Sequence, residues 1–363
     1  MCDFSSYGGP SDEWLALEAT LPAPAAGLSI AERKAATNAL RESVSAEAMK
    51  TLGPQLQIHT HTIPTRDGSR IQARSYRPLH TTGTTTTNPL PVYMHLHGGG
   101  FLFGTLSSED AACARIAIST GVVVLNVDYR HTPEHVYPVA WNDTEDAFEW
   151  LHDNMSAVGG GGGGDAQRVV VGGISAGAYL GASLALQKHL GRVRVAGGSS
   201  RPAIAGLVLM IPSVVHIDCY APQMAKLKGV EVSSWETCKD APVLPRAVCS
   251  LFMDLLKVEG ADVSDTRLNP GNASVEQVKG LPPTVFGVAG NDPLRDEGLL
   301  FAKMLTEAGV PTDVNLFQGV PHGFRRYGDA LSECKRWDQV IENGIAWALS
   351  GPEATGVFEI KTE

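Results

Sequence analysis

The fold of this protein is decided by the stretch Arg168-Val-Val-Val-Gly-Gly-Ile-Ser-Ala-Gly-Ala178. Its apolar start predicts a strand buried on both faces, and the residues that follow it predict a helix. Between the two, Gly173-Ile174-Ser175-Ala176-Gly177 fits a sharp strand-to-helix turn that exposes a serine, because two glycines remove side chains that would collide with nearby backbone. Such a motif alone occurs by chance in roughly a quarter of chains with this composition, so its position between strand and helix carries the prediction.

Short runs rich in valine, isoleucine and leucine recur on both sides of this turn and alternate with helix patterns. The predicted strands are 91–96, 122–127, 168–172, 204–211, 284–288 and 313–317. The predicted helices between and after them are 108–119, 138–156, 176–190, 294–308 and 329–349. This alternation predicts an α/β fold with a mostly parallel, doubly wound sheet and right-handed crossovers.

The rest of the chain surrounds this core with two helical segments. Ser11 and Ser29 are predicted to cap two N-terminal helices, and Asp67-Gly68 predicts a hairpin between two strands within 56–77. The stretch 214–280 has helix patterns but no strand, which predicts an inserted cap over the carboxyl ends of the strands. We therefore expect an N-terminal helical cap segment (1–55), a core (56–213), a cap insertion (214–280) and the rest of the core (281–363). The threonine-rich tract 81–88 and the glycine run 159–164 are expected to be mobile surface loops.

Composition excludes several classes of partner. The 363 residues carry a formal charge of −10 without a dense run of lysine or arginine, which argues against nucleic acid and anionic membranes. No stretch approaches the roughly 18 consecutive apolar residues of a membrane span. The six cysteines are widely spread and the N-terminus lacks a basic and apolar leader. We expect a cytoplasmic protein with reduced thiols.

A glycine cluster directly follows the first core strand. His97-Gly98-Gly99-Gly100 would arise by chance in only about 1% of such chains. Three residues without side chains allow main-chain N–H groups to face a ligand oxygen, as an oxyanion hole requires.

A serine needs a base and an orienting acid to become nucleophilic. Asp292 follows the predicted strand 284–288, and His322 follows the strand 313–317, so both lie at the same edge of the sheet as Ser175. Asp296 is the competing acid, but we favour Asp292 because Asp296 would lie inside the helix that Pro293 opens. The pairs His59/His61 and His95/His97 lack further ligands at metal spacing, so no metal or other cofactor is expected.

With these motifs the chain resembles the hormone-sensitive-lipase-like, or bacterial family IV, carboxylesterases of the α/β-hydrolase fold, from about residue 88 to 350. Five motifs match in order: His97–Phe101, Asp128-Tyr129-Arg130 with Pro133, Glu134 and Pro138, Gly173–Gly177, Asp292–Gly298, and His322-Gly323-Phe324. The resemblance implies an α/β-hydrolase core with a helical cap. It also implies that the Asp128-Tyr129-Arg130 block is an internal ion-pair and turn element.

The same resemblance implies the roles of the site residues. Ser175 would be the nucleophile, His322 the base and Asp292 its orienting acid. The N–H groups of Gly99, Gly100 and Ala176 would form the oxyanion hole, and Gly98 is an alternative donor to one of them. The family commonly has Asp where this chain has Ile174, a change that we expect to narrow the range of substrates.

The expected function is hydrolysis of small to medium carboxylic esters through an acyl-enzyme. One alternative is a biosynthetic hydrolase or cyclase that uses the same triad on a specialised metabolite. A less favoured alternative is a non-catalytic small-molecule receptor, against which His322 argues because the plant gibberellin receptor, which resembles these enzymes, has lost that histidine. The expected partner is a small-molecule ester, and the fold also allows a homodimer.

Overall fold

A computed structural model describes residues 1–22, 27–79, 89–193 and 204–363. The strands in these ranges are β1 (Leu56–Pro64), β2 (Arg70–Pro78), β3 (Leu90–Leu96), β4 (Val123–Asp128), β5 (Gly164–Ile174), β6 (Gly206–Met210), β7 (Thr284–Asn291) and β8 (Thr312–Pro321). Within the described residues they form one eight-stranded sheet in the order β1-β2-β4-β3-β5-β6-β7-β8. The threonine tract lies outside the described residues.

The helices alternate with these strands. They are α1 (Asp12–Glu18), α2 (Ile30–Leu52), α3 (Leu106–Thr120), α4 (Val139–Asp153), α5 (Met155–Val158), α6 (Ala176–His189), α7 (Ala221–Met224), α8 (Ser234–Thr237), α9 (Arg246–Leu256), α10 (Val275–Val278), α11 (Arg295–Glu307) and α12 (Ser332–Leu349). Within the described ranges, no helix is both long enough and apolar enough to cross a membrane.

The pairing of the strands confirms the predicted α/β fold. β1 and β2 form the antiparallel hairpin around Asp67-Gly68, and β2 also runs antiparallel to β4. From β4 to β8 all neighbours are parallel. The antiparallel hairpin therefore lies at one edge of a parallel sheet.

The sheet is buried on both faces, as its apolar strands predict. In β5, Val169 and Val171 belong to one core cluster while Val170 belongs to another, because successive strand residues point to opposite faces. The first cluster includes residues of α4, α6 and α11. The second includes residues of α3 and α12.

The predicted N-terminal helices are both present and are capped as expected. The Ser11 side chain accepts the backbone N–H of Trp14 at the start of α1. Ser29 and Glu32 form a reciprocal capping box at the start of α2. The sequence pattern predicts that α2 ends at Leu40, but the helix runs twelve residues further, to Leu52, since no glycine or proline interrupts it.

The glycine run 159–164 differs from the predicted loop. Gly160–Gly162 form a 3-10 turn, and Gly164 already begins β5, opposite Leu90 of β3. The Arg77 guanidinium donates to the carbonyl of Gly159 and, at 3.3 Å, to that of Gly163. The run thus forms a turn that bonds Arg77, a contact that the sequence hides because this arginine is more than eighty residues away.

The carboxyl ends of the parallel strands carry the residues that the motifs singled out. β3, β5, β7 and β8 end directly before His97, Ser175, Asp292 and His322. In register, Leu96 lies opposite Gly173, and Asn291 lies opposite Pro321. Residues 214–280 contain α7 to α10 and no strand. The division of the chain into core and cap remains a prediction.

Candidate active site

Ser175 occupies a strained turn between β5 and α6. Its backbone has φ 55° and ψ −115°, outside the regions that non-glycine residues prefer. A Cβ on Gly177 would lie 1.9 Å from the carbonyl oxygen of Leu96, and one on Gly173 would lie 2.3 Å from the carbonyl carbon of Gly177. Gly177 is therefore required for the turn to pack against β3, and Gly173 is required for the turn to close on itself, as the motif predicts.

The structure brings Ser175, His322 and Asp292 together in one hydrogen-bonded chain. His322 Nε2 lies 2.9 Å from Ser175 Oγ, and His322 Nδ1 lies 2.7 Å from Asp292 Oδ2. Asp292 is buried, and its other oxygen accepts the backbone N–H of Leu294 at 2.9 Å. This second bond fixes the carboxylate, so that it can hold the histidine ring in one orientation.

The competing carboxylate, Asp296, points elsewhere. It lies in the first turn of α11 and accepts from Arg295 Nε at 2.8 Å and from the backbone N–H of Ser234 at 2.7 Å. Its two oxygens are thus occupied by a buried ion pair and by the start of α8. The contact with His322 belongs to Asp292.

The loop of Gly98, Gly99 and Gly100 lies beside the Ser175 turn. Gly99 has φ +141°, and a Cβ there would lie 2.2 Å from the carbonyl oxygen of Phe103. Among the described residues, the backbone N–H groups of Gly98, Gly99, Gly100 and Ala176 have no hydrogen-bond acceptor. No acceptor in the described chain therefore competes with a ligand oxygen for these four amides, whose role in an oxyanion hole remains a prediction.

His97 and Tyr129 support this loop from behind. The rings stack with centroids 4.4 Å apart, and Tyr129 Oη donates to the His97 carbonyl at 2.7 Å. Burial lowers the pKa of His97 to about 4, so the ring is neutral at pH 7. Its Nδ1 lies 3.2 Å from the Gly98 carbonyl, an acceptor to which it donates.

The Asp128-Tyr129-Arg130 block also forms the ion pairs that the resemblance implies. Arg130 binds Asp143 in a bidentate pair with a shortest distance of 2.6 Å, and Asp67 at 2.7 Å. Glu134 pairs with Lys34 of α2 at 2.5 Å. These contacts join the turn after β4 to the hairpin and to the N-terminal helix.

One aromatic side chain of the predicted cap reaches the glycine loop. A Cβ on Gly100 would lie 2.2 Å from the ring of Phe252 in α9, so this ring packs directly on the loop. Phe252 also contacts Phe103 edge to face, with ring centroids 5.9 Å apart. Other large apolar residues of the predicted cap pack among themselves or against the main core: Tyr220, Met224, Leu227 and Trp235.

The histidine pairs do not assemble a metal site. Across the part of the chain that the structure describes, no group of three or more His, Cys, Asp or Glu side chains could hold a metal ion. His61 Nε2 lies 2.8 Å from Ser75 Oγ, and His95 Nε2 lies 3.4 Å from Glu109.

Sequence reasoning missed two charged residues near the glycine loop. Arg41 of α2 donates to the Gly98 carbonyl and to Glu109 of α3. No local motif marks either residue, because they meet the loop only after the helices pack. The one available signal is that α2, over 23 residues, shows no apolar stripe with which to dock.

A serine on a strand-to-helix turn, with histidine and aspartate at neighbouring strand ends of a mostly parallel sheet, defines an α/β hydrolase. The chain belongs to the family described as alpha/beta hydrolase fold, which it matches over residues 93–326. The resemblance to the hormone-sensitive-lipase-like carboxylesterases is thereby confirmed, and the protein is an enzyme of the serine hydrolase class.

Three similar proteins illustrate this membership. The chain is 33% identical to a carboxylesterase, NlhH, of Mycobacterium tuberculosis, over 75% of this chain and 76% of that protein. It is 31% identical to an ethyl acetate hydrolase of Pseudomonas putida, over 75% and 77% of the two chains. It superposes on the crystal structure of vibralactone cyclase with a TM-score of 0.79 at 25% identity, covering 95% of this chain and 96% of that one.

Proposed function

We propose that this carboxylesterase hydrolyses small carboxylic esters through an acyl-enzyme on Ser175, with His322 as base, Asp292 as orienting acid and the glycine loop as oxyanion hole. The observation that carries the proposal is the unbroken hydrogen-bond path from Asp292 through His322 to Ser175.

In the first step, His322 Nε2 removes the proton of Ser175 Oγ as the oxygen attacks the ester carbonyl. The electron pair of the carbonyl moves onto its oxygen, where the amides of Gly99, Gly100 and Ala176 stabilise the negative charge, or Gly98 in place of one of them. The tetrahedral intermediate then collapses. The alcohol leaves with the proton that His322 returns, and the acyl group stays on Ser175.

In the second step, water replaces the alcohol as nucleophile. His322 removes a proton from the water as it attacks the acyl-enzyme, and the same amides stabilise the second oxyanion. Collapse releases the carboxylic acid and restores Ser175. Asp292 keeps the Nδ1–H of the ring directed toward itself in both steps, so that Nε2 faces the reacting oxygens.

The acyl group that we propose is short. The Phe252 ring packs on Gly100 and so occupies space beside the expected oxyanion site. An ethyl acetate hydrolase is among the similar proteins, which supports an acetyl group. Acetate esters are therefore the first substrates to test.

The decisive variant is Ser175→Ala. We expect the wild-type protein to hydrolyse p-nitrophenyl acetate and to be labelled by a fluorophosphonate probe, because both reactions need an activated serine. Ser175→Ala should lose at least about 10³-fold in kcat/KM and all labelling. The matched control is Ser183→Ala in the same helix, whose hydroxyl bonds the carbonyl of Arg267 and should leave both signals intact. A wild-type protein that stays unlabelled would instead favour the receptor alternative.

A second candidate is intramolecular acyl transfer. The similarity to vibralactone cyclase over nearly the full length of both chains supports it. In this reaction a hydroxyl of the substrate itself, rather than water, attacks the acyl-enzyme and closes a lactone. To separate the two, the protein is given the p-nitrophenyl ester of an ω-hydroxy acid, and mass spectrometry distinguishes free acid from lactone.

A further inference from the structure

Over residues 34–45 the N-terminal helix α2 docks on the core with polar side chains, whereas Met49 and Leu52 near its end pack against an apolar cluster. Its apolar Leu40 and Val44 are 67% and 64% exposed, on the side away from the core. The inward side chains recur every three or four residues, at 34, 38, 41 with its neighbour 42, and 45. Four of them bond loops near the active site: Lys34 to the Thr132 carbonyl, Asn38 to the Gly104 N–H, Arg41 to the Gly98 carbonyl and Glu42 to the Thr105 hydroxyl. Ser45 instead accepts the Ala111 N–H of α3. This arrangement is the reverse of the usual amphipathic helix.

Three successive carbonyls of the glycine loop are each held by a donor. The His97 carbonyl accepts Tyr129 Oη at 2.7 Å. The Gly98 carbonyl accepts the two terminal nitrogens of Arg41 at 3.3 and 3.4 Å and His97 Nδ1 at 3.2 Å. The Gly99 carbonyl accepts the backbone N–H groups of Leu102 and Phe103 at 3.1 and 3.0 Å.

These bonds determine where the amides of the loop point. A trans peptide group is planar, so its C=O and the N–H of the next residue point in opposite directions. Holding the Gly98 carbonyl therefore directs the Gly99 N–H away from Arg41. The Gly99 N–H is one of the amides that have no acceptor among the described residues.

Arg41 is itself held by a buried carboxylate, that of Glu109 in α3. Its Nη2 lies 2.5 Å from Glu109 Oε1, and Glu109 Oε2 lies 3.4 Å from His95 Nε2. Burial alone would raise the pKa of Glu109, but the charge of Arg41 and the hydrogen bond of His95 outweigh it and hold that pKa well below its usual range. The guanidinium thus lies between an ionised carboxylate and the carbonyl of the loop.

We propose that Arg41 is a positioning residue for the oxyanion hole: it orients the Gly98–Gly99 peptide group and so makes α2 part of the active site. The proposal rests on the acyl-enzyme mechanism above. Of the three loop carbonyls, only that of Gly98 is held by a residue from the N-terminal segment. Arg41 touches neither the ester nor the triad, so its effect should appear in the transition state rather than in substrate binding.

The test compares Arg41→Met, Arg41→Lys and Ser45→Ala with the wild-type enzyme on p-nitrophenyl acetate. Arg41→Met removes both guanidinium bonds and leaves the Gly98 carbonyl with His97 Nδ1 alone, and we expect kcat to fall about 10- to 100-fold with KM changed less than about 3-fold. Arg41→Lys keeps a cationic donor and should recover part of kcat. Ser45→Ala is the matched control, because it removes a bond between the same helix and α3 without contact to the glycine loop, and its kcat should stay at the wild-type value.

Arg41→Met also leaves Glu109 without its cation, which can prevent folding. The double variant Arg41→Met/Glu109→Gln removes that charge together with the donor, and it should fold and show the same loss of kcat. A second readout is inhibition by a trifluoromethyl ketone, whose carbonyl forms an oxyanion when Ser175 Oγ adds to it. Its affinity should fall by about the same factor as kcat/KM, since both depend on the oxyanion hole.

The outcomes separate this proposal from the proposed function. If the wild-type enzyme is active and labelled but the folded Arg41 variants keep their kcat and inhibitor affinity, the positioning role is wrong and the acyl-enzyme mechanism stands. A loss of kcat in Ser45→Ala equal to that in Arg41→Met would likewise overturn it, because general loosening of α2 would then suffice. A wild-type protein that is neither active nor labelled overturns the proposed function and this inference with it.

Discussion

At the scale of single residues, two glycines one turn apart in α6 meet very different surroundings. Gly177 packs against the end of β3, where a Cβ would lie 1.9 Å from the Leu96 carbonyl oxygen. Gly181 has its nearest neighbour, Val171 Cγ1, 3.5 Å from an added Cβ, which is ordinary contact. Gly177 is therefore required because the strand backbone lies too close for a side chain, whereas the position of Gly181 has room for a Cβ.

This difference predicts opposite effects of the same substitution. Gly177→Ala should destabilise the protein by about 3 kcal/mol or more, since the strand backbone that it meets must shift. Gly181→Ala should leave stability unchanged or raise it by up to about 1 kcal/mol, because alanine favours a helix. Urea unfolding of both variants gives the comparison. If the two variants were equally stable, the turn between β5 and α6 would not need a glycine at residue 177.

At the scale of elements, α9 places one aromatic ring, that of Phe252, against the glycine loop. Phe252 lies on Gly100. Phe252 and Val248, one turn earlier in the same helix, both pack against a small cluster of Leu244, Cys249 and Leu294. Phe252 therefore contacts both the glycine loop and the packing cluster of α9, whereas Val248 is found in the packing cluster. The sequence of α9 offers both as apolar residues and does not distinguish them.

Removing the Phe252 side chain should therefore change selectivity. In Phe252→Ala we expect the ratio of kcat/KM for p-nitrophenyl octanoate to that for the acetate to rise about 10-fold or more, because space opens beside the oxyanion site. Val248→Ala is the matched control and should keep the wild-type ratio. An unchanged ratio in Phe252→Ala would mean that the acyl chain lies elsewhere.

At the scale of the whole molecule, a buried carboxyl links stability to pH. Glu297 of α11 is buried and accepts the backbone N–H of Val214 at 2.6 Å. Burial raises the pKa of Glu297 from 4.5 to about 8, against the opposing effect of that hydrogen bond. The folded state therefore holds this proton up to about pH 8, while the unfolded state loses it above about pH 4.5.

The sign of the resulting effect follows from this difference in bound protons. Between about pH 4.5 and 8 the folded state binds more protons at Glu297, so its contribution to the free energy of unfolding decreases as pH rises. Glu297→Gln cannot ionise, and its stability relative to wild type should rise across this window by up to about 1.4 kcal/mol per pH unit. Denaturant unfolding at several pH values measures it. A constant difference would contradict the prediction.

Both ends of the chain return to the core. The backbone of Cys2 forms an isolated parallel β-bridge with Leu227 of the predicted cap, and the backbone of Lys361 forms one with Asn315 of β8. The N-terminal segment thus contacts the predicted cap insertion through Cys2 and the glycine loop through Arg41 of α2.

A cytoplasmic location and a homodimer stay predictions, which cell fractionation and light scattering can test.

Local sequence patterns are enough to predict the main strands and helices and the candidate residues of the site. Alternating apolar runs predict the parallel strands, Ser11 and Ser29 mark the helix starts, and the glycines around Ser175 predict the turn, because each pattern depends on neighbours along the chain. The placement of Asp292 and His322 after strands was also readable. Even the choice of Asp292 over Asp296 rested on a local feature, the helix that follows Pro293.

The surroundings of those residues depend on contacts between distant parts of the chain. Arg41 meets Gly98 across 57 residues, and Phe252 meets Gly100 from a separate segment. Arg77 bonds the turn formed by the glycine run 159–164. Such contacts depend on how helices and strands pack, and no local propensity encodes them. Local sequence therefore specified which groups could react, whereas packing specified which groups hold them in place.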